Sequence, residues 1–297
     1  MANFSYEVFA AVVEKGSFFH AAQSLNVTPS AVSHSINQLE TDLGFALFLR
    51  NRSGVELTND GKTVLPVIQS ILNTEEELRQ VADNIKGLNS GRIRIGAFSS
   101  VCINWLPTIL RRFKSEYPQI EVTIFQGDFN QIVAGVREGT IDIGFSSLPI
   151  EDNLLVQPLI KDPIYCVAPT DFVPQDGKAV TKKDIGKRRF ILQQIDYDRD
   201  TKNALDRYNV TPNSINYSID DQSILSMVES GLGLGILPKL ALKKLTGDVH
   251  IYPFDKEFAR TICLVMNKTQ AQAPSTKRMT SEINRFLKET YPDRLFA

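Results

Sequence analysis

The sequence predicts a multi-domain α and α/β protein: a small helical unit with a wing at the N-terminus, one long linking helix, and a C-terminal α/β region of two lobes. Three observations predict it. Residues 1–58 carry short apolar stripes at helical spacing followed by a tight reversal. Residues 59–91 hold one long stripe at heptad spacing and then a hinge, and from residue 92 to 297 strand and helix patterns alternate. At 297 residues the chain exceeds the usual size of a single domain.

Phe4, Val8, Phe9, Val12 and Val13 share one helix face that stops at Gly16, and Ser17 caps a second short helix through Ala21, Ala22 and Leu25. Asn26 and Val27 form the turn. Thr28 is a good N-cap for the next helix, and Pro29 suits its first position, where a missing N–H costs nothing. Val32, Ile36, Leu39 and Leu43 then form a buried stripe, with Ser30, Ser33, His34, Asn37 and Thr41 opposite, all short or polar. A helix-turn-helix needs this division, because an apolar stripe docks the reading helix while short polar side chains let it sit deep in the major groove. An ordinary helical hairpin in a bundle shares the spacing and stays open on this ground alone.

In LFLRNRSGVELTNDG two short apolar runs flank Asn51 to Gly54, which predicts a small hairpin or wing. Residues 1–66 hold four cations against six anions, so this unit is not basic overall. Attraction to phosphate therefore rests on Arg50 and Arg52 at the wing and on unpaired N–H groups at the helix starts after Ser17 and Thr28. The candidate DNA-contacting residues are Thr28, Pro29, Ser30, Ser33, His34, Asn37, Arg50 and Arg52. So little charge implies modest affinity per half-site, raised by dimerisation.

Thr58 or Asn59 caps a long helix running to about Gly87. Val64, Ile68, Ile71, Glu75, Leu78, Ala82 and Ile85 keep the alternating spacing of a coiled-coil seam and predict a partner helix. Glu75 interrupts the seam, and Pro66 predicts a kink or a late start. GLNSGR, residues 87 to 92, is a hinge.

Beyond it run strand RIRIGAF, a helix over 101–116, strand EVTIF, a helix over 129–138 and strand TIDIGFS. IYCVAP, RFILQQ, a helix near 200–208, INYSI, a helix near 222–230, HIYPF, RTICLVM and a last helix from about Ser275 to Tyr291 follow. Such alternation implies mainly parallel sheets covered by helices. Ser99, Ser100 and Val101 stand at a helix start after a strand, and Ser146 and Ser147 follow another strand. In the second lobe Gln193 and Gln194 follow RFIL, and Asp221 and Gln222 precede a helix. Each alone reads as an N-cap or loop residue. Together, at equivalent element ends, they suit a small molecule, weakly favouring an anion.

SGLGLGILP, residues 230 to 238, has its glycines spaced G-x-G-x-G with Pro238 where a phosphate-binding helix would run, so it reads as a helix end turning into a strand. The three histidines, His20, His34 and His250, and the absence of G-x-S-x-G, H-E-x-x-H and Walker patterns give catalysis little support. No metal and no cofactor is expected. Cys102, Cys166 and Cys263 are far apart and read as small buried hydrophobes, a redox-sensing thiol being the lesser reading. No secretory leader and no apolar run long enough for a membrane span is seen, so a cytoplasmic protein without membrane contact is expected.

The block from Gly16 to Gly61 resembles the N-terminal domain of the LysR-type transcriptional regulators. It has a Ser after the first helix, the Ala21-Ala22 pair, A-V-S in the reading helix, I-x-x-L-E, L-G-x-x-L-F and R-x-x-x-x-x-L-T-x-x-G. Thr28-Pro29-Ser30 stands where many members carry a Ser-Gln-Pro-like triplet, which shifts base reading toward His34 and Asn37. RIRIGAF, the LPTIL helix, EGTIDIGF and MVESGLGLGILP resemble the family's effector domain, which is similar to type 2 periplasmic binding proteins. The resemblance implies a winged helix-turn-helix over 1–58, a linker and dimerisation helix with hinge over 59–91, and an effector domain over 92–297. Lobe I is then 92–163 with 266–297, and lobe II is 164–265. It further implies double-stranded DNA and a small-molecule effector as partners, a homodimer or homotetramer, and contact with RNA polymerase. A solute-binding protein would need residues 92–297 only, and an α/β enzyme would need turnover of a small molecule.

Overall fold

The structure is a computed structural model that describes residues 4–51, 54–86, 90–186, 188–193, 199–208, 210, 214–217, 220–244 and 246–293. It opens with α1 (Phe4–Lys15), α2 (Phe18–Ser24) and α3 (Pro29–Leu43), followed by the hairpin β1 (Phe48–Asn51) and β2 (Gly54–Leu57) and the 27-residue α4 (Asn59–Ile85). Val8, Phe9, Val12, Ala21, Ala22, Val32, Ile36 and Leu39 form one core with Leu47, Phe48, Leu65 and Ile68. Leu43, expected in the buried stripe, is exposed, because Gly44 takes a φ of 82° and turns the chain away one residue later. Ser35 completes the buried face instead, donating to Ser5 Oγ at 3.1 Å.

α4 starts at Asn59, so Pro66 lies inside the helix and does not delay it. Its first turns, through Leu65 and Ile68, belong to the core of the head. That shifts the seam read from the sequence: Ile68 is buried within the head and Val64 packs against it, while Glu75 and Ala82 are half-buried. The residues left exposed at heptad spacing are Val67, Ile71, Thr74, Leu78, Val81 and Ile85. Gln69, Asn73 and Gln80, on another face, are buried.

β3 (Gly91–Ala97), α5 (Ser99–Asn104), α6 (Leu106–Glu116), β4 (Ile120–Gln126), α7 (Phe129–Glu138) and β5 (Ile143–Ser147) come next. The single helix expected over 101–116 is thus two, broken at Trp105, whose φ and ψ are −110° and −52°. The long β6 (Leu155–Pro169) leads to α8 (Lys182–Ile185), β7 (Phe190–Gln193), α9 (Arg199–Arg207), β8 (Ser214–Tyr217), α10 (Asp221–Glu229), β9 (Leu234–Pro238), α11 (Lys239–Leu242) and β10 (Val249–Tyr252). β11 (Ala259–Met266) and α12 (Pro274–Thr290) close the chain. SGLGLGILP ends α10 and runs into β9, as its spacing predicts.

β3 is parallel to β4 and β5, and β7 is parallel to β8 and β9. Between these groups the pairing is antiparallel, β5 to β11, β11 to β6, and β6 to both β9 and β10. The expectation of mainly parallel sheets therefore holds only at the two ends. The centre is antiparallel because β6 and β11 run in opposite directions between the two halves. β6 feeds both cores, Leu159 and Ile160 packing with Trp105, Phe113 and Met279, and Ile164, Cys166 and Ala168 packing with Phe190, Leu205 and Ile236. The result is the two-lobed α/β architecture anticipated from strand and helix alternation.

Candidate functional site

In the head, α3 packs one face on the core and exposes the other. Thr28 Oγ1 accepts from Ala31 N at 3.2 Å and shares a hydrogen bond with Ser30 Oγ at 2.9 Å, so the cap and the first reading hydroxyl form one unit. Pro29 occupies the first helical position. Ser30, His34 and Asn37 are exposed, and Ser33 is half-buried. Arg50 lies on β1 opposite Val55, its side chain outside the described residues, as is Arg52 altogether.

Glu40 stands in the sequence only as part of a motif, yet it joins reading helix to wing. Its Oε1 accepts from Leu47 N at 2.7 Å and from Phe48 N at 3.2 Å. Thr58 completes the joint. Its hydroxyl donates to Ala46 O at 2.8 Å and caps α4 by accepting from Gly61 N at 2.8 Å. A Cβ on Gly61 would come within 2.3 Å of Leu47 O, so the L-T-x-x-G signature records a close approach of α4 to the wing.

In lobe I the strands β3 and β5 run parallel, so Ser99 and Ser100, after β3, and Ser147, at the end of β5, fall at the same edge of the sheet. Ligands of open α/β sheets bind outside the carboxyl ends of such strands. Ser99 and Ser100 are the first residues of α5, with Phe98 as its cap, and Val101 is fully buried in the lobe I core. Ser100 is 2 % exposed, and its Oγ accepts from Arg260 Nη2 at 3.0 Å. Arg260 in turn pairs with Asp162 at 2.9 Å. Neither residue of that ion pair is visible as a candidate in the sequence, since they stand 98 positions apart.

Ser147 pairs with Ile262 and Ser146 with Cys263, so the two serines point to opposite faces of the sheet. Both hydroxyls are buried without a hydrogen-bond partner among the described residues. A buried polar group left unpaired is costly, and a water, an ion or a ligand can meet it. In lobe II, Gln193 ends β7, its side chain outside the described residues, and Gln194 lies outside them altogether. Asp221 and Gln222 do not precede α10 but form its first turn, Asp220 being the cap that accepts from Ser223 N at 2.8 Å. Gln222 donates to Thr246 O at 3.0 Å and is exposed.

Two concavities lie elsewhere. One of about 700 Å³ runs along α12 past Thr280, Asn284 and Lys288, and one of about 510 Å³ sits between β6, α11 and the end of α12, with Asp162 and Tyr291 in its wall. Size alone does not make a site, and neither contains the unpartnered serines. Burial pushes the thiol of Cys102 up to about 11 and those of Cys166 and Cys263 to about 12, which argues against a redox-sensing thiolate. Among the described residues no cluster of His, Cys, Asp and Glu could hold a metal ion, and no helix is long and apolar enough to cross a membrane.

A winged helix-turn-helix on a long helix, joined to a two-lobed α/β domain, defines a ligand-responsive DNA-binding protein. Residues 5–62 match the family model described as bacterial regulatory helix-turn-helix protein, lysR family, and residues 86–287 match that described as LysR substrate binding domain. The chain belongs to the LysR family: it is a LysR-type DNA-binding transcriptional regulator with an effector-binding domain. It is 32% identical to an uncharacterized HTH-type transcriptional regulator, YvbU of Bacillus subtilis, over 82% of this chain and 84% of that one. It is 31% identical to the probable HTH-type transcriptional regulator LrrA of Synechococcus elongatus, over 91% and 92% of the two chains. Among solved structures its fold is similar to a full-length OxyR variant from Pseudomonas aeruginosa, with a TM-score of 0.77 at 21% identity over 97% and 95% of the chains. Full-length CbnR, solved with its target DNA, gives a TM-score of 0.63 at 20% identity over 96% and 100%.

Proposed function

We propose that a small molecule bound between the two lobes controls DNA reading by the head, and that no covalent chemistry is involved. The observation that carries this is the buried, unpartnered hydroxyl of Ser147 at the carboxyl end of β5, at the same edge of the sheet as the Ser99–Ser100 start of α5. Ligand binding favours one closure of the lobes and resets the angle between heads. The division of labour follows the boundaries read from the sequence, with the head over 1–58, linker over 59–91 and effector domain over 92–297. Thr28, Pro29, Ser30, Ser33, His34 and Asn37 face the major groove and Arg50 and Arg52 meet phosphate. Ser99, Ser100 and Ser147 meet the effector from lobe I and Gln193, Asp221 and Gln222 from lobe II, while Val101 lies in the lobe I core and Ser146 on the opposite face of β5, and Gln194 is outside the described residues.

Two exposed surfaces support self-association. The α4 seam, with Leu78 at 68% and Ile85 at 83% exposure, suits a homodimer through paired linker helices. β4 is an edge strand with Ile124 and Phe125 exposed, a second apolar surface that a tetramer would cover. The working partners are double-stranded DNA, the effector, a second copy and RNA polymerase, in the cytoplasm, where the DNA is.

The test is a gel-shift assay with the intact chain against the DNA upstream of its own gene and of the adjacent divergent gene. A sequence-specific shift that weakens with salt and responds to a small molecule is expected. Loss of the response in Ser147→Ala with the shift retained supports the assigned cleft, and an unchanged response in both Ser100→Ala and Ser147→Ala removes it.

A further inference from the structure

We propose that Arg260 reads a carboxylate on the effector, sharing with it the pairing that Asp162 now holds alone. This rests on the reading above that a small molecule binds between the lobes.

Asp162 and Arg260 are cross-strand partners on β6 and β11, the two strands that carry the chain between the lobes. Both are almost wholly buried, at 2% and 5% exposure. Arg260 Nε and Nη2 meet the same oxygen, Asp162 Oδ2, at 3.0 and 2.9 Å, and Nη2 also donates to Ser100 Oγ at 3.0 Å. Asp162 Oδ1 accepts from Leu240 N of α11 at 2.9 Å. The guanidinium lies 4.8 Å over the Phe98 ring, which fixes its plane. Two of its three nitrogens are thereby committed. Nη1 takes part in neither of these bonds.

Near Arg260 in the sheet stands Ser147, one of the buried polar groups without a partner among the described residues. Ser147 pairs with Ile262, and Arg260 stands two residues further along β11 on the same face, so Ser147 and Arg260 are diagonal neighbours about 7 Å apart. Ser147 is 7% exposed with its hydroxyl unpartnered. A planar acceptor with two oxygens satisfies both at once, one on Nη1 and one on Ser147 Oγ. A carboxylate fits better than an amide of the same shape, because charge-assisted bonds to a guanidinium are the stronger and an amide offers only one acceptor.

Asp162 already neutralises Arg260, so an entering carboxylate competes with it. That competition has a mechanical consequence. The pair is tied to α5 through Ser100 and to α11 through Leu240 N, so loosening it alters how those two helices meet β6 and β11.

The test uses the intact chain and compares acetate, succinate and benzoate with acetamide, succinamide and benzamide by thermal shift and calorimetry. At least one acid is expected to bind where its amide does not. Arg260→Gln is expected to abolish that binding, and Asp162→Asn to tighten it about tenfold, because the internal competitor loses its charge. Asp162→Asn keeps the proposal testable should Arg260→Gln fail to fold. Equal binding of acids and amides overturns the proposal, as does binding of no acid at all. Unchanged acid affinity in Asp162→Asn together with its loss in Ser147→Ala leaves the cleft standing and removes Arg260 as its reader.

Discussion

Asn73 of the linker helix donates from Nδ2 to the carbonyl of Gly139 at 2.9 Å, fastening α4 to the end of α7 in lobe I of the same chain. Its Oδ1 accepts from Arg94 Nη2 at 2.9 Å, and Arg94 is held by Asp142 through Nε at 3.1 Å and Nη2 at 2.7 Å. Gln80 Oε1 accepts from Ser275 N at 3.2 Å, and Gln270 Nε2 reaches Gly139 O at 3.0 Å and Asp142 Oδ1 at 2.8 Å. Linker and lobe thus meet through a buried polar joint, sensitive to the loss of any one partner. Arg94 is on β3 and Asp142 directly precedes β5, the strands whose far ends carry Ser99, Ser100 and Ser147.

The joint should fail measurably when its packing is disturbed. Gly139 has a φ of 79°, and a Cβ there would lie 2.9 Å from Asn73 Nδ2. Gly139→Ala is expected to cost about 1–2 kcal/mol from the left-handed backbone alone. Asn73→Ala strands the Arg94 donor and is expected to cost about 1–3 kcal/mol. Urea unfolding gives both values, and limited proteolysis near residues 87–91 should speed up in each variant. Stability and cleavage equal to wild type would show that the joint contributes nothing.

Glu40 offers a second stability test within the head. Glu40→Ala leaves the N–H groups of Leu47 and Phe48 without an acceptor in a place where Leu47 is fully buried, so a loss of about 1–3 kcal/mol is expected. Glu40→Gln keeps an acceptor oxygen and should lose less. If the two variants melt together, the carboxylate is not what holds the wing.

The head was legible because its determinants are local. Thr28, Pro29 and Gly44 mark their own helix ends, and Val32, Ile36 and Leu39 fall on one face whatever else the chain does. What escaped depended on partners distant in sequence. Val64 and Ile68 read as seam residues because periodicity cannot tell a face covered by the chain's own head from one left for a second copy. Gln69, Asn73 and Gln80 carry no signal of their own in the sequence, yet they are buried against a lobe that begins after the hinge. The effector serines stand out by their place at strand ends. Their neighbour Arg260 does not, because only the antiparallel return of β11 brings it to Asp162. Strand direction is set by connections that residue patterns do not record.

Charge on the exposed linker seam should separate the copies. Leu78→Glu places a carboxylate where paired helices would bury a leucine that is 68% exposed in the single chain. Light scattering after gel filtration is expected to show a lower oligomer with DNA affinity reduced in proportion to lost avidity. Leu78→Ala should weaken the assembly less. An unchanged mass for Leu78→Glu would place the dimer contact elsewhere.

The three thiols predict a pH window. Burial pushes Cys166 and Cys263 up to about 12 and Cys102 to about 11, above an ordinary thiol value of 9.0, so each is a neutral thiol in the folded chain at about pH 8. A raised folded value means that the associated stability is intact below pH 9 and is lost as pH rises toward 11 and 12. Labelling with a disulfide reagent at about pH 8 should be slow in the native protein and rapid in urea. Fast native labelling at any of the three would restore the redox-sensing reading.

The reading helix makes the sharpest distinction between shape and charge. His34 and Asn37 are exposed on α3. Each, changed to Ala, is expected to lose about 1–3 kcal/mol at one operator base pair, because a side chain reading a base edge discriminates by that much. Neither change should alter the slope of log affinity against log salt, since no phosphate contact is removed. Arg50→Ala should do the reverse, weakening binding to all sequences alike and lowering the slope by about one. Gel shifts over a salt series, with specific and scrambled DNA, separate the two effects. A uniform loss across sequences for Asn37→Ala, with a reduced salt slope, would assign that residue to the backbone and return base reading to the Thr28–Ser30 end of the helix.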